Sequence, residues 1–494
     1  MKNVTAVHKS IAKHPYLILT GWCVAVRTVW FLQDQSPGIY FSDSWDYIVV
    51  PRTPGLASDS LHSSYIYYVW ETLSFGHTNA VNIIAIQSLL GVVSCLILFT
   101  TIRVRCSFYR SLLIAGIFGA IPGLAFFERS FMTESICTTL ITILVYIIVQ
   151  TWSQKKPRSM PFLILLVVGV GIVSGVLIGI RPPMQVVAIL LVLSFLVIAY
   201  KRVSAQYSWP RMALLAMILL CSAVAPALPM MVKNSRDYGV FSLSPAIGSG
   251  LVARWHFLIP CTSNHAPESL SLRLQLIIEE ECSIRLQGHH DSALWFGGEL
   301  SKSMDPQPGF AALQGEMTTY ARNLVFANSR LSTMSIFRSF YQLFYSPTVN
   351  TEMYSNGYEF YSSAASVSNF YDRLAWFDGN VPSEGPSFVL LMNAVRATAT
   401  VPGLILFVTV LMYLLYWMRL SEPGSHFKER RRQDILLGSI FLSIVLAGAI
   451  AVAVGGGAVF RYTLPFLPML LVALAFSWPS DPSAEDSDDV EESR

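Results

Sequence analysis

The twenty residues PFLILLVVGVGIVSGVLIGI, Pro161 to Ile180, contain no charge and no side chain more polar than one serine. As a helix, about 20 such residues match the hydrocarbon core of a bilayer. Basic residues bound the run on both sides: Lys155, Lys156 and Arg158 precede it and Arg181 follows. Working outward, similar runs fall near 15–32, 81–100, 110–127, 136–151, 184–200, 212–232, 396–418, 435–455 and 463–478. The expectation is an all-α polytopic membrane protein with about ten transmembrane helices. Composition agrees: 53% of the 494 residues are hydrophobic and only 13% charged, about half the charge of a soluble domain. The net charge of +3 is small and its basic residues lie in short loops, which excludes a nucleic-acid-binding class.

Cytoplasmic loops retain Lys and Arg. With the N-terminus inside, the inner segments hold Lys2, Lys9 and Lys13; Arg103 and Arg105; Lys155, Lys156 and Arg158; Lys201, Arg202 and Arg211; and Lys428, Arg430, Arg431 and Arg432. This pattern places both termini in the cytoplasm, in a membrane read as a bacterial inner membrane. The first run, with no small-residue cleavage site after it, reads as a retained anchor. Four units follow: a transmembrane module over 1–232 with a first outer loop at 33–80, an extracytoplasmic region over 233–395, C-terminal spans over 396–478, and an acidic, Ser-rich tail over 479–494 with the composition of a disordered end.

The first outer loop opens with Phe41-Ser42-Asp43-Ser44-Trp45-Asp46-Tyr47, where the chain leaves the lipid. The aromatic run Tyr65 to Trp70 suits a short interfacial helix. At the second outer turn, Glu128, Arg129 and Glu134 fall within seven residues between two apolar runs. Charges there face a wet cavity or one another; Glu128 with Arg129 reads as an ion pair at a helix end, and Glu134 as a carboxylate favoured at a helix start. Arg181 and Arg461 sit at outer edges of spans and Arg27 lies inside the first. A guanidinium fork suits phosphate, although Arg27 can also snorkel or pair internally. The 233–395 region shows amphipathic stretches near 268–286, 310–328 and 330–345, and its apolar share suits packing on the membrane part. Cys261 and Cys282 are its two cysteines, open to a bridge in an oxidising compartment or to two buried thiols. His289-His290-Asp291 reads as a surface loop, no metal site has ligand spacing, and neither a Gly-rich phosphate loop nor a G-x-S-x-G elbow occurs.

Together these features resemble the GT-C superfamily of membrane glycosyltransferases, which includes protein O-mannosyltransferases, the aminoarabinose transferase of lipid A and mycobacterial arabinosyltransferases. Asp43 and Tyr47 match the spacing of that family's first-loop acidic motif; Ser44 stands where its second acid is usual, with Asp46 as a substitute. Met132-Thr133-Glu134-Ser135 looks like its second outer motif, Lys233-Asn234 with Gly239-Val240-Phe241 like the start of its late outer domain, and Arg461-Tyr462-Thr463-Leu464-Pro465 like its Arg-Tyr-x-x-Pro near the last helices. The resemblance implies transfer of a sugar from a polyprenyl-phosphate donor to a hydroxyl of a glycan, lipid or protein, with inversion, at the extracytoplasmic face. It implies Asp43 or Asp46 as the base, Arg461 as a phosphate clamp, Lys233, Arg181 or Arg27 as helpers, and Tyr47, Glu134 and Tyr462 at the substrate. Some members use a divalent cation such as Mg or Mn and others none. A multipass transporter or flippase of lipid-linked sugars is the main alternative; it predicts broken helices and an internal repeat. A structural subunit of a cell-envelope complex is the third.

Overall fold

The structure, a computed structural model, describes residues 14–33, 69–70, 73, 80–129, 133–154, 159–181, 184–203, 208–261, 269–286, 299–303, 308–345, 393–395, 397–420, 429–455 and 462–478. All regular structure among them is helical. The helices are α1 (Pro15–Gln33), α2 (Ala80–Arg103), α3 (Phe108–Ala120), α4 (Pro122–Glu128), α5 (Glu134–Ser153), α6 (Met160–Ile180), α7 (Gln185–Val203), α8 (Trp209–Val224), α9 (Leu228–Tyr238), α10 (Ile247–Trp255), α11 (Leu272–Leu286), α12 (Glu299–Lys302), α13 (Phe310–Ala327), α14 (Ser329–Tyr345), α15 (Val401–Leu420), α16 (Glu429–Gly455) and α17 (Leu467–Ser477). Every apolar run read from the sequence contains one of these helices. Among the described residues, five helices are long and apolar enough to cross a membrane, or up to seven if each bent pair is one span.

Two runs that read as unbroken spans are divided. The 110–127 run becomes α3 and α4, bent by 53°. Pro122 opens α4 and Ile121 before it is extended, with φ −63° and ψ 117°. A proline supplies no N–H to the preceding turn and its ring drives the residue before it out of the α region. The 212–232 run becomes α8 and α9, bent by 52° across a break that contains Pro226.

Helix α17 lies at the centre of the bundle, packed on α16, α15, α5, α2 and α3. Ten of its eleven residues are buried, so its uniformly apolar sequence suits an interior position. Helices α6 and α8 approach closely. A Cβ added at Gly171 would meet Ser222 and one added at Gly175 would meet the Ala223 carbonyl, the small-residue contact that lets membrane helices pack backbone to backbone.

One end of the bundle is tied by arginines. Arg431 donates to the carbonyls of Ser477 and Trp478 at 2.7 Å each, and Arg110 donates to Trp478 at 3.2 Å. These are the unpaired carbonyls at the C-terminus of α17, where cations are favoured. Arg105 pairs with Asp434 at 3.3 Å and donates to Ser153.

Helices α9 to α14 form a second, smaller core that includes Tyr238, Val252, Trp255, Ile277, Phe310 and Met317. Ser249, Ser303 and Gln314 form a closed buried hydrogen-bond network inside it. The three stretches expected to be amphipathic are the helices α11, α13 and α14, although α11 leaves Leu272 and Leu276 exposed and buries Glu281; Cys261 is bridged to Cys282. Arg254 of α10 joins this unit to the bundle. It donates to the Ala453 carbonyl near the end of α16 at 2.8 Å and to Ser339 of α14 at 2.9 Å. Burial there holds its guanidinium below its ordinary value.

Candidate functional site

The bundle end opposite the Arg431 cluster carries two buried ion pairs. Arg27, two turns before the end of α1, donates to Glu128 Oε1 at 2.5 Å, and both side chains are almost fully buried. Its other amino group donates to the carbonyls of Cys23 and Gly119. Arg181, directly after α6, reaches Glu134 Oε1 at 2.7 Å and the Thr133 hydroxyl at 2.7 Å. The guanidinium also lies over the Tyr462 ring, 4.6 Å from its centre. Arg181, Glu134 and Thr133 are all buried.

Local sequence explains these positions. The bend at Pro122 turns α4 across the bundle end and delivers Glu128 toward α1. Gly91 of α2 leaves the space the pair occupies, because a Cβ there would overlap both the Glu128 carboxylate and the Arg27 guanidinium. Glu134 is the first residue of α5, which places its side chain at the helix start beside Arg181.

Glu128 and Glu134 line one cavity together with Gly91, Ser94, Ser135, Thr138, Thr139 and Leu464. Its volume is about 10 Å³, room for roughly one water molecule. Ser94 donates to Thr139 across it at 2.9 Å, and Thr138 donates to the Glu134 carbonyl. Two carboxylates, each paired with a guanidinium, are buried there beside hydroxyls and an aromatic face, so their formal charges balance.

The structure brings together Glu134, Arg181 and Tyr462, which the sequence placed in three separate turns. Lys233 stands apart on α9, paired with Asp237 one turn on at 3.5 Å and lying over the Tyr238 ring. In its motif Asn234 is a structural residue: its amide donates to the carbonyls of Ser242 and Leu243. Gly239 ends α9 at φ +72°, a left-handed position that favours glycine. Asp43, Asp46, Tyr47 and Arg461 lie outside the described residues, as do His289-His290-Asp291 and most of the aromatic run from Tyr65.

The expected pairing of Glu128 with its neighbour Arg129 does not form the site's ion pair. Arg129 donates to the Trp30 carbonyl at 2.9 Å, and Glu128 pairs with Arg27. Here the Arg129 guanidinium is taken up by the end of α1. Arg27 accordingly has an internal partner. Gly91, Ser94, Thr138 and Thr139 were not singled out in the sequence; small and hydroxylated residues inside apolar runs are the signal that marks them. Among the described residues no three His, Cys, Asp or Glu side chains are grouped to hold a metal ion.

The chain matches no family model, no curated protein and no solved structure.

Proposed function

We propose that this chain is a membrane glycosyltransferase of GT-C type, moving a sugar from a polyprenyl-phosphate donor to an acceptor hydroxyl, with ten spans and both termini cytoplasmic. The observation that carries the reading is the contact of Arg181 with Glu134 and Tyr462. It joins the second-turn motif to the motif before the last helix, two stretches whose likeness to the superfamily was independent. Arg461 directly precedes Tyr462 in the chain, and Asp43 follows the helix that carries Arg27. The Cys261–Cys282 bridge supports an oxidising compartment for the second core, which agrees with the positive-inside pattern.

In this reading Asp43 removes the acceptor proton as general base, with Asp46 its neighbour. Arg461 neutralises charge developing on the leaving phosphate. Glu134 and Tyr462 orient the acceptor, and Arg181 acts through them by holding Glu134 in place. Lys233, one turn from the end of α9, contributes positive charge toward the donor. A divalent cation, where used, supplies further charge to the leaving phosphate.

The test is Asp43→Asn in purified protein with a polyprenyl-phosphate sugar and a panel of acceptors. Turnover falls by on the order of a hundredfold or more while donor binding is retained; full activity rejects the assignment. Asp46→Asn alongside identifies which carboxylate is the base.

The two bent helix pairs favour a second reading, a transporter or flippase of lipid-linked saccharides. Broken helices are a feature of such proteins. Translocation of a fluorescent lipid-linked sugar in proteoliposomes, unaffected by Asp43→Asn, would select this reading over the transferase.

A further inference from the structure

Helix α14 carries an apolar stripe that is exposed among the described residues. Leu331, Met334, Phe337 and Tyr341 are 55%, 59%, 69% and 59% exposed. At 100° per residue the four fall within about 120° of the helix circumference. The opposite face, with Ser332, Ser339 and Leu343, is buried. Two exposed arginines, Arg330 and Arg338, lie on or beside the stripe. Helix α14 is not apolar enough to rank among the candidate spans, and an isolated soluble helix of this kind would expose its oily face to water.

Its contacts decide what the face meets. The buried side of α14 packs on α15 and α16, both candidate spans. The contact with α15 falls at that helix's third residue, Gly403, where an added Cβ would strike the Phe344 carbonyl. The link to α16 falls at Ala453, two residues before its end, through Arg254 and Ser339. Both contacts lie at the ends of spans, so α14 runs where hydrocarbon gives way to headgroups. The exposed side of α15, with Leu404, Phe407 and Leu411, is apolar, as a surface against lipid tails is.

We propose that α14 is an interfacial helix, with Leu331, Met334, Phe337 and Tyr341 sunk into the acyl boundary of the bilayer and Arg330 and Arg338 held by anionic lipid headgroups. An amphipathic helix with aromatic and aliphatic residues on one side and arginines beside them lies in the membrane plane. Long basic side chains extend to the phosphate level from there. The helix spans both cores: Ile336 packs on the smaller one and Leu343 and Phe344 lie in the larger. The bilayer surface is thereby a third support that sets the angle of the smaller unit over the bundle end.

The test uses full-length protein with Met334→Cys in a Cys221→Ser background. The other unbridged described cysteines, Cys23, Cys95, Cys106 and Cys137, are buried. The introduced thiol is labelled with an environment-sensitive NBD dye, and the protein is reconstituted in phosphatidylcholine vesicles containing phosphatidylglycerol. Expected are a blue-shifted emission, strong quenching by doxyl-labelled lipid and weak quenching by aqueous iodide. Iodide quenching as strong as that of free dye places the stripe in water and overturns the proposal. Shielding from both quenchers means that protein covers it, this chain or a second copy, and overturns it equally. Replacing Arg330 and Arg338 by Gln lowers the enrichment of doxyl-phosphatidylglycerol over doxyl-phosphatidylcholine at the label by about fivefold per arginine; unchanged enrichment rejects the headgroup contact.

Discussion

Arg27 and Glu128 are 101 residues apart in the chain and meet at 2.5 Å inside the bundle. Their pairing ties the first helix to the bent segment that begins at Pro122. Removing one partner leaves an uncompensated charge in a low-dielectric interior, whereas removing both leaves none. Arg27→Leu is therefore expected to destabilise the protein by about 3–5 kcal/mol, and Arg27→Leu with Glu128→Leu to recover most of that loss. Thermal unfolding in detergent micelles measures both. Glu128→Leu alone completes the cycle, and a double variant whose loss equals the sum of the two single losses would show that the pair contributes no coupling.

Gly91 has no room for a side chain. Gly91→Ala forces the carboxylate and guanidinium apart and is expected to cost about 1–3 kcal/mol. Gly21 on α1 provides the contrast, because a Cβ there would meet nothing within 4 Å. Gly21→Ala is expected to be neutral or to stabilise by up to about 1 kcal/mol through helix propensity. The order of the two melting temperatures decides the point.

Arg181 rests on the Tyr462 ring. Tyr462→Phe keeps an aromatic face beneath the guanidinium, while Tyr462→Leu removes it. The leucine variant is expected to be less stable than the phenylalanine variant by about 0.5–2 kcal/mol, the range of a cation–π contact. Under the transferase reading the leucine variant also loses more turnover. Identical melting curves would remove this contact from the account of the site.

The Cys261–Cys282 bridge closes a sequence separation of 21 residues beside the smaller core. Constraining the unfolded chain over such a loop contributes roughly 3 kcal/mol in the chain-entropy account. The double serine variant is expected to lower the unfolding temperature of the smaller unit under non-reducing conditions and to make it insensitive to reductant. Peptide mapping without reductant checks the bridge directly; two free thiols would exclude it.

The positions of the apolar helices were legible because a bilayer selects for an additive property, mean hydropathy over about 20 residues. The amphipathic helices α13 and α14 were legible from periodicity for a related reason, whereas α11 has no one-sided apolar face: Leu272 and Leu276 are exposed and Glu281 is buried. Pro122 and Pro226 were visible as letters, yet whether a proline kinks a helix or divides it depends on what the freed backbone groups find nearby. The sequence also identified Glu134, Arg181 and Tyr462 as candidates one at a time.

By itself, then, the sequence determined a helical chain built for a bilayer and the charge asymmetry of its loops, and it named candidate residues one by one. Only the tertiary structure decided that Arg181 holds Glu134, that Arg27 and not Arg129 neutralises Glu128, and that Gly91 is the space in which they meet. The reason is physical. Burial of an apolar run is a local sum along the chain, whereas a buried charge takes its partner from whichever helix the packing brings within about 3 Å, and that distance has no signature in sequence separation.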